Sequence, residues 1–227
     1  MPVNHKLKTV FIHIPKCAGT SITQMLDMTT LQQMFFCGAP SMYPLTHKGY
    51  SDKFSLFEFS KLVSKPPQHF TFKEVNKILG DDIMGSYYVF TVVRNPYARL
   101  ASAFNRASQR YAGQQGFGSF EEFVNTQLIL PEYNRISKFQ GHLETQTSYL
   151  KNESGNFDSI TKIFKFETLE ECYNKILDIY PGVPKLHSNA SPEDYDYKTY
   201  YTDDIANTVF NFYKDDFVNF DYNTSVN

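Results

Sequence analysis

Residues 8–22, Lys-Thr-Val-Phe-Ile-His-Ile-Pro-Lys-Cys-Ala-Gly-Thr-Ser-Ile, allow the chain few local structures. The apolar run Val10 to Ile14 stops at Pro15, and an apolar helical pattern resumes at Ile22. This spacing predicts a buried strand over 8–15, a tight turn, and a helix over 20–29. A helix start carries unpaired N–H groups and a partial positive charge. Ala18 and Gly19 let backbone approach a ligand closely. Lys16 adds a full charge, and Thr20 and Ser21 add hydroxyl donors. The turn is therefore an anion site suited to phosphate or sulfate; the plain alternative is a turn whose lysine is merely solvated. It is not a Walker A loop, because the lysine precedes the glycine by three residues.

The same alternation continues downstream. Thr71-Phe-Lys-Glu74 is a capping-box pattern opening a helix to Leu79, with Gly80 as its stop. Tyr87–Val93 reads as a second buried strand, 160–166 as a third, and 167–180 as a helix. A helix is expected near 54–63. Ser119-Phe-Glu-Glu122 caps another short helix. Residues 202–219 read as one amphipathic helix with Asp203 and Asp204 in its first turn. Strands alternating with helices predict an α/β fold with a central, mostly parallel sheet flanked by helices. Ligands of such sheets bind beyond the carboxyl ends of the strands, so the 15–21 turn and the turn at Arg94 can face one crevice.

The second turn is Val93-Arg94-Asn95-Pro96, an N-cap followed by proline at the first helical position, opening a helix over 96–111. On that helix Asn95, Arg99, Ser102 and Arg106 share one face, while Leu100, Ala103, Phe104, Ala107 and Tyr111 form the apolar one. Arg94 at an anion-friendly helix start suits a forked phosphate contact. Arg99 and Arg106 read as surface or salt-bridge arginines.

The order Phe-Ile-His-Ile-Pro-Lys-Cys-Ala-Gly-Thr-Ser resembles the 5′-phosphosulfate loop of sulfotransferases that use 3′-phosphoadenosine 5′-phosphosulfate (PAPS). It is similar to the carbohydrate branch that includes heparan sulfate 2-O-sulfotransferase. Arg94-x-Pro96 with Ser102 resembles the 3′-phosphate site of that family. Gly141–Leu150 is similar to its His-x-x-Pro-Gln-x-x-Tyr-Leu segment, with Thr145 in place of Pro. Lys165-Phe-Glu-Thr-Leu, Tyr200–Asp204 and Phe212–Phe217 resemble later segments. The resemblance runs from about residue 8 to 222, and implies a P-loop-like three-layer fold with residues 1–227 as one domain.

It also implies roles. Lys16 would face the bridging oxygen and the sulfate. Cys17, Ala18, Gly19, Thr20 and Ser21 would cradle the 5′-phosphate, and Arg94 and Ser102 would hold the 3′-phosphate. Lys185 and Ser188, in a loop placed like the one that closes over the cofactor, would reach the adenine end. A hydroxyl acceptor needs a general base, and a histidine titrates in the right range. His69, between the two motifs and just before a helix, lies in a place similar to that of the catalytic histidine in the resembled 2-O-sulfotransferase; the other reading is an ordinary histidine leading a helix. His47 is the rival base, in a loop that suits acceptor contact; His142 is a candidate for contact with the acceptor or the cofactor; and a carboxylate base is the further alternative. His13, inside the first strand, reads as packing or backbone support. No metal is required.

Composition sets the outer bounds. At 227 residues, one domain is the prior, and net charge −2 predicts no general affinity for nucleic acid. Arg94, Arg99, Arg106 and Arg110 lie in a stretch without acids, which suits a small polyanionic ligand better than a long polyanion. With no tryptophan, aromatic packing falls to 21 Phe and 16 Tyr. Cys17, Cys37 and Cys172 form neither a disulfide pattern nor a metal spacing, which implies a reducing compartment. Cys17 is either a small filler or a thiol acidified by the turn. No apolar run approaches a membrane span and no signal peptide leads the chain, so a cytoplasmic enzyme of bacterial or viral kind is expected. Its acceptor would be a small molecule or glycan, and nothing in the chain fixes an oligomeric state. The alternatives are a nucleotide-dependent kinase with a divergent loop, which wants an acid where the second strand ends in Arg94, and a non-catalytic module that holds PAPS or its product.

Overall fold

The computed structural model describes residues 3–28, 67–110, 117–129, 140–157, 161–184 and 196–226. In chain order these residues form β1 (Val3–Asn4), β2 (Thr9–Ile12), α1 (Gly19–Met25), α2 (Phe72–Leu79), α3 (Asp81–Ser86), β3 (Tyr88–Val93) and α4 (Pro96–Arg110). There follow α5 (Phe120–Val124), α6 (Gln140–Leu143), α7 (Gln146–Leu150), β4 (Thr161–Lys165), α8 (Leu169–Ile179), α9 (Asp203–Phe212) and α10 (Lys214–Asn219). The expected helix at 54–63, His47, Cys37, Tyr111, Lys185 and Ser188 lie outside the described residues. Two compact units emerge, residues 1–92 with 148–189, and residues 93–147 with 190–227. Among the described residues no helix is long and apolar enough to cross a membrane.

The first unit is built on a mixed four-stranded sheet in the order β1-β2-β3-β4. β2 and β3 run parallel, pairing Val10 with Val89 and Phe11 with Phe90. β1 lies antiparallel to β2 at its other edge. Val10, Phe11 and Ile12 are fully buried, as a strand covered on both faces requires. The Thr91 hydroxyl donates to the Ile12 carbonyl at 2.8 Å, adding a side-chain tie to that ladder. Tyr180, just past α8, donates to the Leu7 carbonyl and meets the Thr9 hydroxyl, pinning the approach to β2.

The helix boundaries of this unit follow the sequence chemistry. The capping box at α2 is complete: Thr71 Oγ1 accepts from the Glu74 N–H, and Glu74 Oε2 accepts from the Thr71 N–H at 2.8 Å. Such a cap stabilises by about 1 kcal/mol. Gly80 ends α2 at φ 83°, ψ 159°, a backbone open essentially to glycine alone, and α3 starts on it. The strand expected to reach residue 15 stops at Ile12. His13 and Ile14 stay buried, but the chain has left the ladder, and the Ile14 N–H turns back to the Ile12 carbonyl.

The second unit packs around α4. Tyr97, Leu100, Ala103, Phe104 and Ala107 face inward and share one apolar cluster with Phe120, Phe123, Val209, Tyr213 and Phe217. Phe and Tyr carry this core: Phe104 meets Phe120 edge-on at 5.3 Å, and Tyr97 meets Phe217 at 4.8 Å. Ser119 caps α5, accepting from the Glu122 N–H at 3.0 Å, and a π-helical turn, Asn125–Ile129, follows directly.

The helix expected over 202–219 is two. Its Thr202 cap and acidic first turn are present, but the ladder breaks at Tyr213 (φ −103°, ψ 21°). The Tyr213 ring is drawn into the core and its hydroxyl donates to the Leu143 carbonyl at 2.8 Å. The break turns α10 so that Phe217 and the carboxylate of Asp216 are both fully buried.

Candidate functional site

The turn after β2 is strained by construction. Lys16 (φ 70°) and Ala18 (φ 59°) both take the left-handed conformation without being glycine. Each costs about 1–2 kcal/mol, so the surrounding structure must enforce them. Ala18 is the N-cap of α1 and supplies no side-chain acceptor. The helix therefore opens on N–H donors that no cap satisfies, beside a half-buried Lys16 and an exposed Thr20 hydroxyl.

The other side chains of the turn look inward. Cys17 is fully buried with Sγ 3.6 Å from the Pro15 carbonyl, which is the filler role. Ser21 is buried and its hydroxyl shares a hydrogen bond with the Tyr173 phenol, while burial pushes the Tyr173 pKa up. The Ser21 side chain is thus turned to the protein. Cys172, beside Tyr173 on α8, is fully buried, and burial pushes its thiol up to about 12.

His13 joins this turn to His69. A Cβ built on Gly19 would lie 1.7 Å from His13 Nε2, so the imidazole occupies the space that glycine leaves. The His13 ring stacks on Phe11 at 5.5 Å and meets the edge of His69 at 4.7 Å. His69 closes the short 3₁₀ turn Pro67–His69 just before α2, and is 9% exposed. Its Nδ1 lies 3.2 Å from the His13 carbonyl, and its Nε2 lies 3.1 Å from the Gln68 amide nitrogen. A carbonyl can only accept and an amide NH2 can only donate. The arrangement therefore assigns the proton to Nδ1 and leaves Nε2 as the basic nitrogen. That is how a protein fixes the tautomer of a histidine base.

In the second unit, Arg94 follows β3 and is 8% exposed. Its N–H donates to Gln146 Oε1 and its carbonyl accepts from Gln146 Nε2, both at 2.8 Å. Asn95 caps α4, its Oδ1 accepting from the Tyr97 N–H at 2.9 Å, and Pro96 opens the helix as expected. Ser102 is half-buried on α4 and Arg106 is exposed.

Arg99 corrects the surface expectation. It is 1% exposed, its Nη2 donates to the His142 carbonyl at 3.1 Å, and its guanidinium lies 6.0 Å above the Tyr213 ring. A helix of this length, packed against the chain on more than one side, buries part of its polar stripe, and a carbonyl plus an aromatic face make that tolerable for a guanidinium. His142 is half-buried on α6.

Two residues of this unit went unassigned in the sequence. Gln146 braces Arg94, and Asp216 accepts the N–H groups of Gln146 and Thr147, both at 2.8 Å. A signal for Asp216 was present: it shares the helical face of Val209, Tyr213, Phe217 and Phe220, an acid on an apolar stripe. Among the described residues no group of three His, Cys, Asp or Glu could hold a metal ion.

No curated protein and no solved structure matches the chain. A family model, described as the sulfotransferase family, matches residues 1–223 and so runs through both compact units and every motif read above. On that match, over nearly its whole length, the chain belongs to the sulfotransferase family.

Proposed function

We propose that this sulfotransferase moves the sulfuryl group of PAPS onto a hydroxyl, with His69 as general base and residues 1–227 acting as one catalytic domain. The carbohydrate identity of the acceptor follows from the sequence resemblance to the heparan sulfate 2-O-sulfotransferase branch. The observation that carries the reading is the chain of contacts from His69 through His13 to Gly19. It ties a histidine whose Nδ1 faces a carbonyl, leaving Nε2 as the acceptor for Gln68, to the very turn whose donors suit an anion.

The residues fit such a donor. The uncapped start of α1, the Lys16 ammonium and the Thr20 hydroxyl offer donors and positive charge to a phosphosulfate end. Arg94 and Ser102 supply a guanidinium and a hydroxyl for a 3′-phosphate. When bound, PAPS supplies the sulfuryl group and departs as adenosine 3′,5′-bisphosphate.

His69 Nε2 takes the proton of the attacking hydroxyl as the new O–S bond forms, and Gln68 gives up its contact with that nitrogen to let the hydroxyl in. Lys16 neutralises charge that collects on the bridging oxygen as the old S–O bond breaks. The backbone N–H groups of residues 18–21 hold the 5′-phosphate still, so catalysis rests on positioning and charge stabilisation. His142 contacts the acceptor.

Thermal unfolding with adenosine 3′,5′-bisphosphate, with AMP, and with ATP plus Mg²⁺ tests this reading. A ligand at a hundredfold its Kd stabilises by about 2.7 kcal/mol, a shift of roughly 5–10 °C for a chain of this size. A shift with the bisphosphate that AMP does not reproduce is the expected result. A shift with ATP and Mg²⁺ alone overturns the choice of donor.

A further inference from the structure

Arg94 is the first residue after β3, where the ladder no longer holds the backbone. Yet its N–H and its carbonyl are both satisfied, by one side chain. The Gln146 carboxamide accepts from the Arg94 N–H and donates to the Arg94 carbonyl, as a neighbouring strand's peptide would. Gln146 is fully buried, so water does not compete for these bonds.

Gln146 is itself held. Asp216 Oδ2 accepts its N–H, and Asp216 Oδ1 accepts the N–H of Thr147, at the start of α7. A carboxylate at a helix start is favoured by the dipole, and charge-assisted bonds of this kind are strong. Asn219 Nδ2 donates to the Thr147 hydroxyl at 3.2 Å, a second tie from α10 to the same turn. The path runs from α10 through Asp216 and Gln146 to the backbone of Arg94.

We infer that Gln146 is a positioning residue for Arg94, fixing the direction in which the guanidinium meets the 3′-phosphate. The inference rests on the reading that Arg94 binds that phosphate. With the backbone clamped and the side chain nearly buried, Arg94 has few rotamers left, and its forked donors are set before the ligand arrives. Loss of the clamp should therefore weaken recognition of the 3′-phosphate and leave the rest of the nucleotide's contacts alone.

Isothermal titration of the full chain with adenosine 3′,5′-bisphosphate and with AMP separates the possibilities. Gln146→Met keeps the volume and removes both bonds. It should raise the Kd for the bisphosphate about tenfold, the scale of a lost pair of hydrogen bonds, and leave the Kd for AMP unchanged. Equal weakening of both nucleotides, or of neither, overturns the positioning role. Arg94→Ala is measured beside it. If that variant still prefers the bisphosphate as the parent does, the 3′-phosphate assignment itself fails, and the inference falls with it. Should Gln146→Met not fold, Gln146→Glu has the same length, keeps the acceptor for the Arg94 N–H and sets a carboxylate oxygen against the Arg94 carbonyl in place of the donor. It must show the same one-sided loss for the inference to stand.

Discussion

Glycine at the start of a helix is ordinarily a weak point, and replacing it with alanine is expected to stabilise by up to about 1 kcal/mol. Gly19 should behave in the opposite way. Its backbone is helical and would accept alanine without strain. Its surroundings would not. The new Cβ would sit 1.7 Å from His13 Nε2, 2.0 Å from Cδ2 and 2.4 Å from Cε1, well inside contact distance on three ring atoms. The ring has little room to retreat, with Phe11 stacked on one side and the edge of His69 on another. Overpacking of this kind costs about 1–3 kcal/mol, which outweighs the propensity gain. The net expectation for Gly19→Ala is a loss of about 1–2 kcal/mol, or a fall in Tm of roughly 2–8 °C. Urea unfolding is the assay, because a lower midpoint at an unchanged m reports stability alone. The mechanism has its own signature. In a His13→Ala background the same substitution should become neutral or stabilising, giving a coupling of at least about 1 kcal/mol. A Gly19→Ala chain as stable as the parent, or a penalty that persists without His13, refutes the steric argument.

Two further expectations follow from the same unit. His69→Ala and Lys16→Ala should each lower kcat by more than about a hundredfold, and the His69 variant should bind adenosine 3′,5′-bisphosphate as the parent does; full turnover in the His69 variant removes its role as base. Burial pushes both the Tyr88 phenol and the Cys172 thiol up to about 12, from ordinary values of 10.0 and 9.0. Both groups hold their protons more tightly when folded, so the stability they contribute is whole below pH 9 and is lost as pH rises towards 12. The urea midpoint should fall from pH 9 to 11, and Cys172 should resist alkylation in the folded chain at pH 8; a rising midpoint, or labelling as fast as in urea, contradicts this.

What could be read from the sequence was local. The turn at 15–21, the capping box at Thr71 and the Asn95-Pro96 helix start each lie within a few residues, where backbone rules act directly. The place of His69 in the chain was legible for the same reason, just before a capped helix. The errors share an opposite cause. Ile12 to Ile14 continue one apolar pattern, yet only Ile12 remains in the ladder, because periodicity reports burial and not hydrogen bonding. The break at Tyr213 depends on a carbonyl 70 residues away in sequence.

Arg99, Gln146, Asp216 and Ser21 make the point in a sharper form. Each is a polar residue with less than a twentieth of its surface exposed, and each has a partner on another element. A single sequence prices such residues as surface, because a buried polar group is costly until its partner is known. Three of them bear on the 141–147 turn and on the helix that follows Arg94. An apolar side chain at 146 or 216 would take away the acceptors of the buried Arg94, Gln146 and Thr147 N–H groups. The polarity of Gln146, held in turn by Asp216, supplies hydrogen bonds to the main chain at Arg94 that packing alone cannot. In this molecule the polar residues that break the local apolar pattern are therefore the ones to follow towards the turn at Arg94. Asp216 on the apolar stripe of the last helix leads there in two steps.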